Sequence, residues 1–242
     1  MKAAPSGPAV MLAALVALLL VGVGWFLRNE DSFPPNSLPW KPVVLDAPPG
    51  WIAHWQMGRL KADRDTCRAA LATASRLRFE PLKDRAMGAA CGFDNVVRAD
   101  AGPVAFTPRV TATCAMQAAL YWYQRQLAAP ALAHMQSPLV RITQLGTFSC
   151  RNVNNGQGNN EQDGRRSEHA AANAIDIAVF HFADGRSVSV LRDYAKDTAQ
   201  GRFLAAARDE ACRVFNAVLG PDYNRLHADH FHLDMGGARI CS

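Results

Sequence analysis

Histidine is scarce in this chain, seven in 242 residues, and none of the six cysteines lies in a C-x-x-C pair. A zinc ribbon needs thiolates at closer spacing and is excluded. No glycine-rich stretch has phosphate-loop spacing. Basic residues are scattered without an aromatic-interleaved stripe, so nucleic acid is a poor partner despite a formal net charge of +5. No internal repeat is evident, which leaves one domain with one sizeable core, built from 49% hydrophobic and 19% charged residues.

Charge is also missing from residues 9–27, a run of nineteen apolar residues. As a helix it spans ~28 Å, close to the hydrocarbon thickness of a bilayer. It has no polar face, which argues against a buried core helix. Lys2 before it and the positive-inside rule place the rest of the chain outside the cytoplasm, although Arg28 weakens the asymmetry. A cleaved signal peptide, with Gly22 and Gly24 before the cut, is the alternative. The run exceeds the usual h-region of ~7–15 residues, so an uncleaved anchor in the cytoplasmic membrane is expected. Residues 1–28 are thus an anchor or signal, and 29–57 a proline-rich linker carrying Pro34, Pro35, Pro39, Pro42, Pro48 and Pro49. As polyproline, about twenty-two such residues reach up to ~70 Å. Trp40, Trp51 and Trp55 either dock on the membrane interface or pack on the domain, residues 58–242.

An even set of cysteines in an exported domain predicts three disulfides among Cys67, Cys91, Cys114, Cys150, Cys212 and Cys241. The pairing is open. Cys212 and Cys241 bracket the C-terminal histidine motif, so a bridge between them would clamp it. Free buried thiols are the alternative if the chain is not exported.

Four of the histidines fall in two stretches about sixty residues apart: Ser167-Glu168-His169 followed by Asp176, and His227-Ala228-Asp229-His230-Phe231-His232-Leu233-Asp234. Three His/Asp/His ligands with a fourth position left to water suit a catalytic zinc, whereas a structural site is closed by four. His169, Asp176 and His232 are the candidate ligands of one zinc ion. Residues two apart on a strand share a face, so His230 points where His232 points while Phe231 turns to the core. Ile175 and Ile177 likewise face away from Asp176.

The stretches Phe148-Ser149-Cys150-Arg151, Ser167-Glu168-His169 through Ile177, Ala211-Cys212 to Phe215, Val218-Leu219-Gly220-Pro221 and His227 through Asp234 resemble the bacterial extensin-like C-terminal domain family over roughly residues 58–242. That family in turn resembles the LAS metallopeptidases, and most closely the penicillin-insensitive murein endopeptidases, whose last motif spaces three histidines as His227, His230 and His232 are spaced. The resemblance implies zinc, hydrolysis of a peptidoglycan peptide and a periplasmic site of action; the positive charge suits an anionic envelope or a muropeptide carboxylate. It departs at Ala172, where the usual motif has glycine. His230 is the expected base, with Asp229 its rival because D-Ala-D-Ala peptidases of the group carry a catalytic glutamate three residues before the ligand. His227 is left to stabilise an oxyanion. Arg151 is expected to hold a peptide carboxylate, or to be a surface arginine. Ser167 is a candidate substrate contact, or with Glu168 a turn cap. The polar stretch 152–160 is a rim or lid over the substrate, or a mobile surface loop. A zinc-containing domain that binds cell wall or a partner without cutting, as in the hedgehog signalling domain, is the non-enzymatic alternative.

The expected fold is α+β: a small antiparallel sheet carrying the zinc site, flanked by helices and preceded by a membrane helix. A helix capped by Asp65 or Thr66, a helix over 114–129 ended by Pro130, a strand over 139–150 irregular at Gly146, a hairpin of 174–182 with 187–191, a helix over 203–219 stopped by Gly220-Pro221, and a last strand holding His230 and His232 make it up.

Overall fold

The computed structural model describes residues 7–88, 90–153 and 164–242. Helix α1, Gly7–Arg28, is the apolar run, long and apolar enough to cross a membrane and with none of its hydrophobic window buried by the rest of the chain. The remainder is α+β. Helices α2, Ala53–Ala62, and α3, Arg64–Ala72, precede the central helix α4, Cys114–Gln126. Helix α4 is buried along most of its length, with Tyr121, Trp122 and Tyr123 fully covered. A three-stranded sheet of Arg78–Pro81, Val96–Ala101 and Thr111–Thr113 lies to one side.

The larger sheet holds seven strands: β1 Ala105–Thr107, β2 Leu139–Gly146, β3 Ala174–Phe182, β4 Ser187–Ser189, β5 Ala217–Leu219, β6 Phe231–Asp234 and β7 Ile240–Cys241. Its order is β7-β5-β6-β3-β2-β1, with β4 also pairing β3. The inner pairs are antiparallel, while β1 on β2 and β7 on β5 run parallel, so the sheet is broader and more mixed than the alternating segments alone predict. Helix α5, Ala199–Cys212, covers one face; its Phe203 stacks edge-on against Phe180 and Phe182 of β3 at 5.2 and 5.1 Å. Burying such a ring is worth about 1.5–3 kcal/mol.

Several boundaries differ from expectation for identifiable reasons. Asp63, not Asp65 or Thr66, caps α3, its carboxylate accepting from the Thr66 amide. Pro130 does not end the helical path after α4: it sits in the first turn of a fresh helical segment, Ala128–Pro130, where its missing N–H costs nothing, and the chain coils on to Met135. The hairpin turns at Asp184–Gly185 as expected, but its second strand stops at Ser189 and continues as a short helix. The largest correction is at residues 203–219. The helix stops at Cys212, and Ala217–Leu219 is strand β5, inserted between β6 and β7. Ala217 and Val218 are as apolar as a helix face, and only their two strand partners distinguish the alternatives.

The linker reading also changes. Leu38, Val43 and Leu45 are buried, the Leu45 amide donates to Thr73 Oγ1 at 2.8 Å, Trp122 Nε1 donates to the Ala47 carbonyl at 3.0 Å, and Arg125 pairs with Asp46 at 2.9 Å. Residues 36–48 therefore form a strap bound to α4 rather than an extended spacer. Prolines set its path; the apolar residues between them anchor it.

Three disulfides form, Cys67–Cys114 between α3 and α4, Cys91–Cys150 between loops, and Cys212–Cys241 between the end of α5 and β7. The described chain has no free cysteine. The expected Cys212–Cys241 bridge closes the sheet edge that supports the histidine motif, and disulfides of this number fit an oxidising, extracytoplasmic compartment.

Candidate metal centre

The site begins with strand register. His232 of β6 is paired directly with Asp176 of β3, which places both side chains on one face of the sheet at closest approach. Their neighbours Ile175, Ile177, Phe231 and Leu233 take the other face and are fully buried. His169 comes from outside the sheet. Ser167 caps a 3-10 turn, Glu168–Ala171, by accepting from the His169 amide, and Ala172 ends it in the left-handed region at φ +54°. Only that reversal returns the chain to β3 in time to lay His169 over Asp176. An alanine holds a conformation that glycine adopts without steric cost.

The three donor atoms form a triangle. His169 Nε2 lies 3.2 Å from Asp176 Oδ1 and 3.1 Å from His232 Nδ1, and His232 Nδ1 lies 3.0 Å from Asp176 Oδ1. Ligands about 2.0–2.1 Å from a tetrahedral zinc would be separated by about 3.3 Å, so the spacing suits such an ion. His169 is buried and the other two are nearly so. Burial acts to raise the Asp176 carboxyl, but hydrogen bonds from His169 and His232 outweigh it and hold it well below the carboxylate range. Burial would depress His232, yet hydrogen bonds to Asp176 and Asp234 raise it to about 9. Two imidazoles and a carboxylate gathered this closely form a donor set for a divalent cation.

Support comes from residues to which the sequence alone assigned no part. Asp234, two residues along β6 from His232 and hence on its face, accepts from His232 Nε2 at 3.1 Å, while its other oxygen accepts from the Gly236 amide at 2.7 Å. A carboxylate behind a metal-binding imidazole fixes its tautomer. The strand parity that placed His230 beside His232 would have found Asp234 as well. Gly236 passes so close that a Cβ there would sit 2.7 Å from a Glu168 carboxylate oxygen. Asn173 ties the turn down, its amide donating to Glu168 and its carbonyl oxygen lying 2.9 Å from the Thr113 hydroxyl.

The other histidines form the rim. His230 precedes β6; its Nε2 lies 3.6 Å from Asp176 Oδ1, and its Nδ1 lies 2.7 Å from Asp229 Oδ1. The parity expectation holds one residue beyond the strand. Asp229 is largely exposed, with one carboxylate oxygen engaged by its neighbour. His227 belongs to a 3-10 turn, Arg225–His227, with Nδ1 2.8 Å from Asn224 Oδ1 and its ring 5.3 Å from that of His230. Burial, with the nearby His230 and His232, lowers it to about 4, so it is neutral at neutral pH. Arg151 is exposed and also contributes to that lowering; its carbonyl accepts from the Ser167 amide at 3.1 Å, which ties it to the His169 turn. Ser167 itself is buried in its capping role. Of the polar stretch expected as a rim or lid, residues 154–160 lie outside the described residues.

An α+β domain in which two sheet strands and a capped 3-10 turn gather a His/Asp/His group that could hold a metal ion, with further histidines beside it, defines the class. The family described as extensin-like protein C-terminus matches residues 65–242, and the chain belongs to that family. No curated protein and no solved structure matches it.

Proposed function

We propose that this chain is a zinc-dependent peptidase acting on peptidoglycan peptides or cross-links, held at the outer face of the cytoplasmic membrane by α1. The observation that carries the reading is the triangle of His169, Asp176 and His232 donor atoms 3.0–3.2 Å apart, with His230 Nε2 3.6 Å from Asp176 Oδ1. The motif resemblance to murein endopeptidases supplies the substrate class. When bound, zinc supplies Lewis acidity for a scissile carbonyl and acidifies a water beside it.

The protein's own groups do the rest. His230 presents Nε2 to the site and is placed to take a proton from the attacking water and return it to the leaving amine. Asp229, bonded to Nδ1 of His230, suits an orienting part better than that of a second base. Neutral His227 donates its one N–H, at Nδ1, to Asn224 Oδ1, so its Nε2 is an acceptor and the expected donation to an oxyanion is not available to it; Arg151 offers a guanidinium to a peptide carboxylate.

Incubation of the zinc-loaded protein with purified cross-linked peptidoglycan, followed by mass analysis of released fragments, tests this reading. Muropeptides cut at a peptide bond, with about one zinc per chain, are expected. Bound zinc with no fragment released would leave a wall-binding domain instead.

A further inference from the structure

We infer that Trp51 and Trp55, with Trp40, form a lipid-interface surface that seats the domain directly on the bilayer carrying α1; this rests on the anchor reading above. Because the strap from Asn36 onward is bound to α4, only Asn29 to Pro35, seven residues, separate the apolar helix from the domain. Fully extended they span at most ~25 Å, and Glu30–Ser32 is coiled, so the reach is shorter.

A continuous chain of contacts then runs from the helix end to the domain surface. Phe26 of α1 meets Phe33 and Trp40 edge-on at 4.9 and 5.7 Å. Pro39, beside Trp40, accepts from Arg59 Nη1, and the Arg59 guanidinium lies 5.2 Å from the Trp55 ring. Trp51 stands in the turn just before the α2 N-cap Ile52, and Trp55 lies in the first turn of that helix, so the two rings belong to one end of α2. Trp51 is 85% exposed, the most exposed large apolar side chain among the described residues, and Trp25, Trp40 and Trp55 are about half exposed or more. A ring that gains nothing from the core and lies within a short tether of a membrane helix has the bilayer interface as its partner. There the indole body meets acyl chains while its N–H meets headgroups.

The test uses the full chain in bilayers of phosphatidylethanolamine and phosphatidylglycerol whose acyl chains carry bromines either near the headgroups or near the bilayer centre. In a background with Trp25→Phe and Trp40→Phe, the remaining reporters are Trp51, Trp55 and the buried Trp122. Shallow bromines should quench emission more than deep ones, and the quenching should be lost on adding Trp51→Phe and Trp55→Phe. Extraction at alkaline pH is run alongside. If the chain stays in the membrane but the two tryptophans remain unquenched and open to aqueous acrylamide, the interface is wrong and the anchor stands. Release of the chain at alkaline pH would remove the anchor, and the interface with it. Shielding of Trp51 by insoluble peptidoglycan, with no quenching by lipid bromines, would mark a wall-glycan surface and overturn the proposal.

Discussion

The floor of the site and its rim are held by different means. At the floor, Asp176 and His232, fifty-six residues apart, are fixed by strand pairing, and His169 by a turn capped by Ser167, its own carbonyl accepting from the Ser149 and Ala172 amides. At the rim, the Nδ1 atoms of His227 and His230 are held by Asn224 and Asp229, neighbours within three residues. A floor built on sheet register has no slack, since slipping one strand by one residue would turn its ligand to the opposite face, away from the other. A rim built on a short turn can adjust around a substrate. The difference predicts that floor substitutions remove the metal, while rim substitutions spare it and change turnover.

Asp176→Ala should have the largest effect. It deletes one vertex of the triangle and leaves His232 with one carboxylate partner instead of two, so zinc content measured on the purified protein should fall to background and activity with it. His169→Ala should do the same; a variant with full zinc would break the comparison at its root. Next, His230→Ala should keep its zinc and lose about 10²–10⁴-fold in turnover, the usual contribution of a positioned acid-base group. If Asp229→Ala loses more than His230→Ala at full metal content, the proposed roles of the two are reversed. Asp234→Asn acts on the floor from behind, and should weaken zinc affinity about 10–100-fold in a chelator competition while leaving the fold intact.

A pH dependence separates the metal-free from the loaded site. His232 is raised from 6.5 to about 9, so in metal-free protein its stabilising contribution is fully present below pH 6.5 and is lost as pH rises through about 9. Zinc must displace the Nδ1 proton, so zinc affinity should rise over that same window. Thermal melts with and without chelator should therefore diverge as pH increases from 6.5 to 9. Parallel curves would remove His232 from the ligand set.

The smallest effect is expected at Ala172→Gly. Relief of the left-handed alanine, about 1–2 kcal/mol, is offset by the lost buried methyl, about 0.8 kcal/mol, and the freer unfolded chain, about 0.4–1 kcal/mol. A change within ~0.8 kcal/mol follows, whereas Ala172→Val should destabilise by more than ~2 kcal/mol because it adds β-branching at positive φ in a packed site.

The sequence by itself determined which His and Asp residues gather at the candidate site, the face shared by His230 and His232, the apolar helix α1 and an even set of cysteines that pairs completely. Each depends on residue type or on spacing along one segment, where strand parity and hydropathic length act without distant partners. Only the tertiary structure decided that Ala217–Leu219 is a strand, that Pro130 lies inside a helical path, and that residues 36–48 are bound strap rather than spacer. In every one of those cases the local pattern fits two conformations about equally. What selects between them is a contact with residues far along the chain: β6 and β7 for the short strand, α4 for the strap.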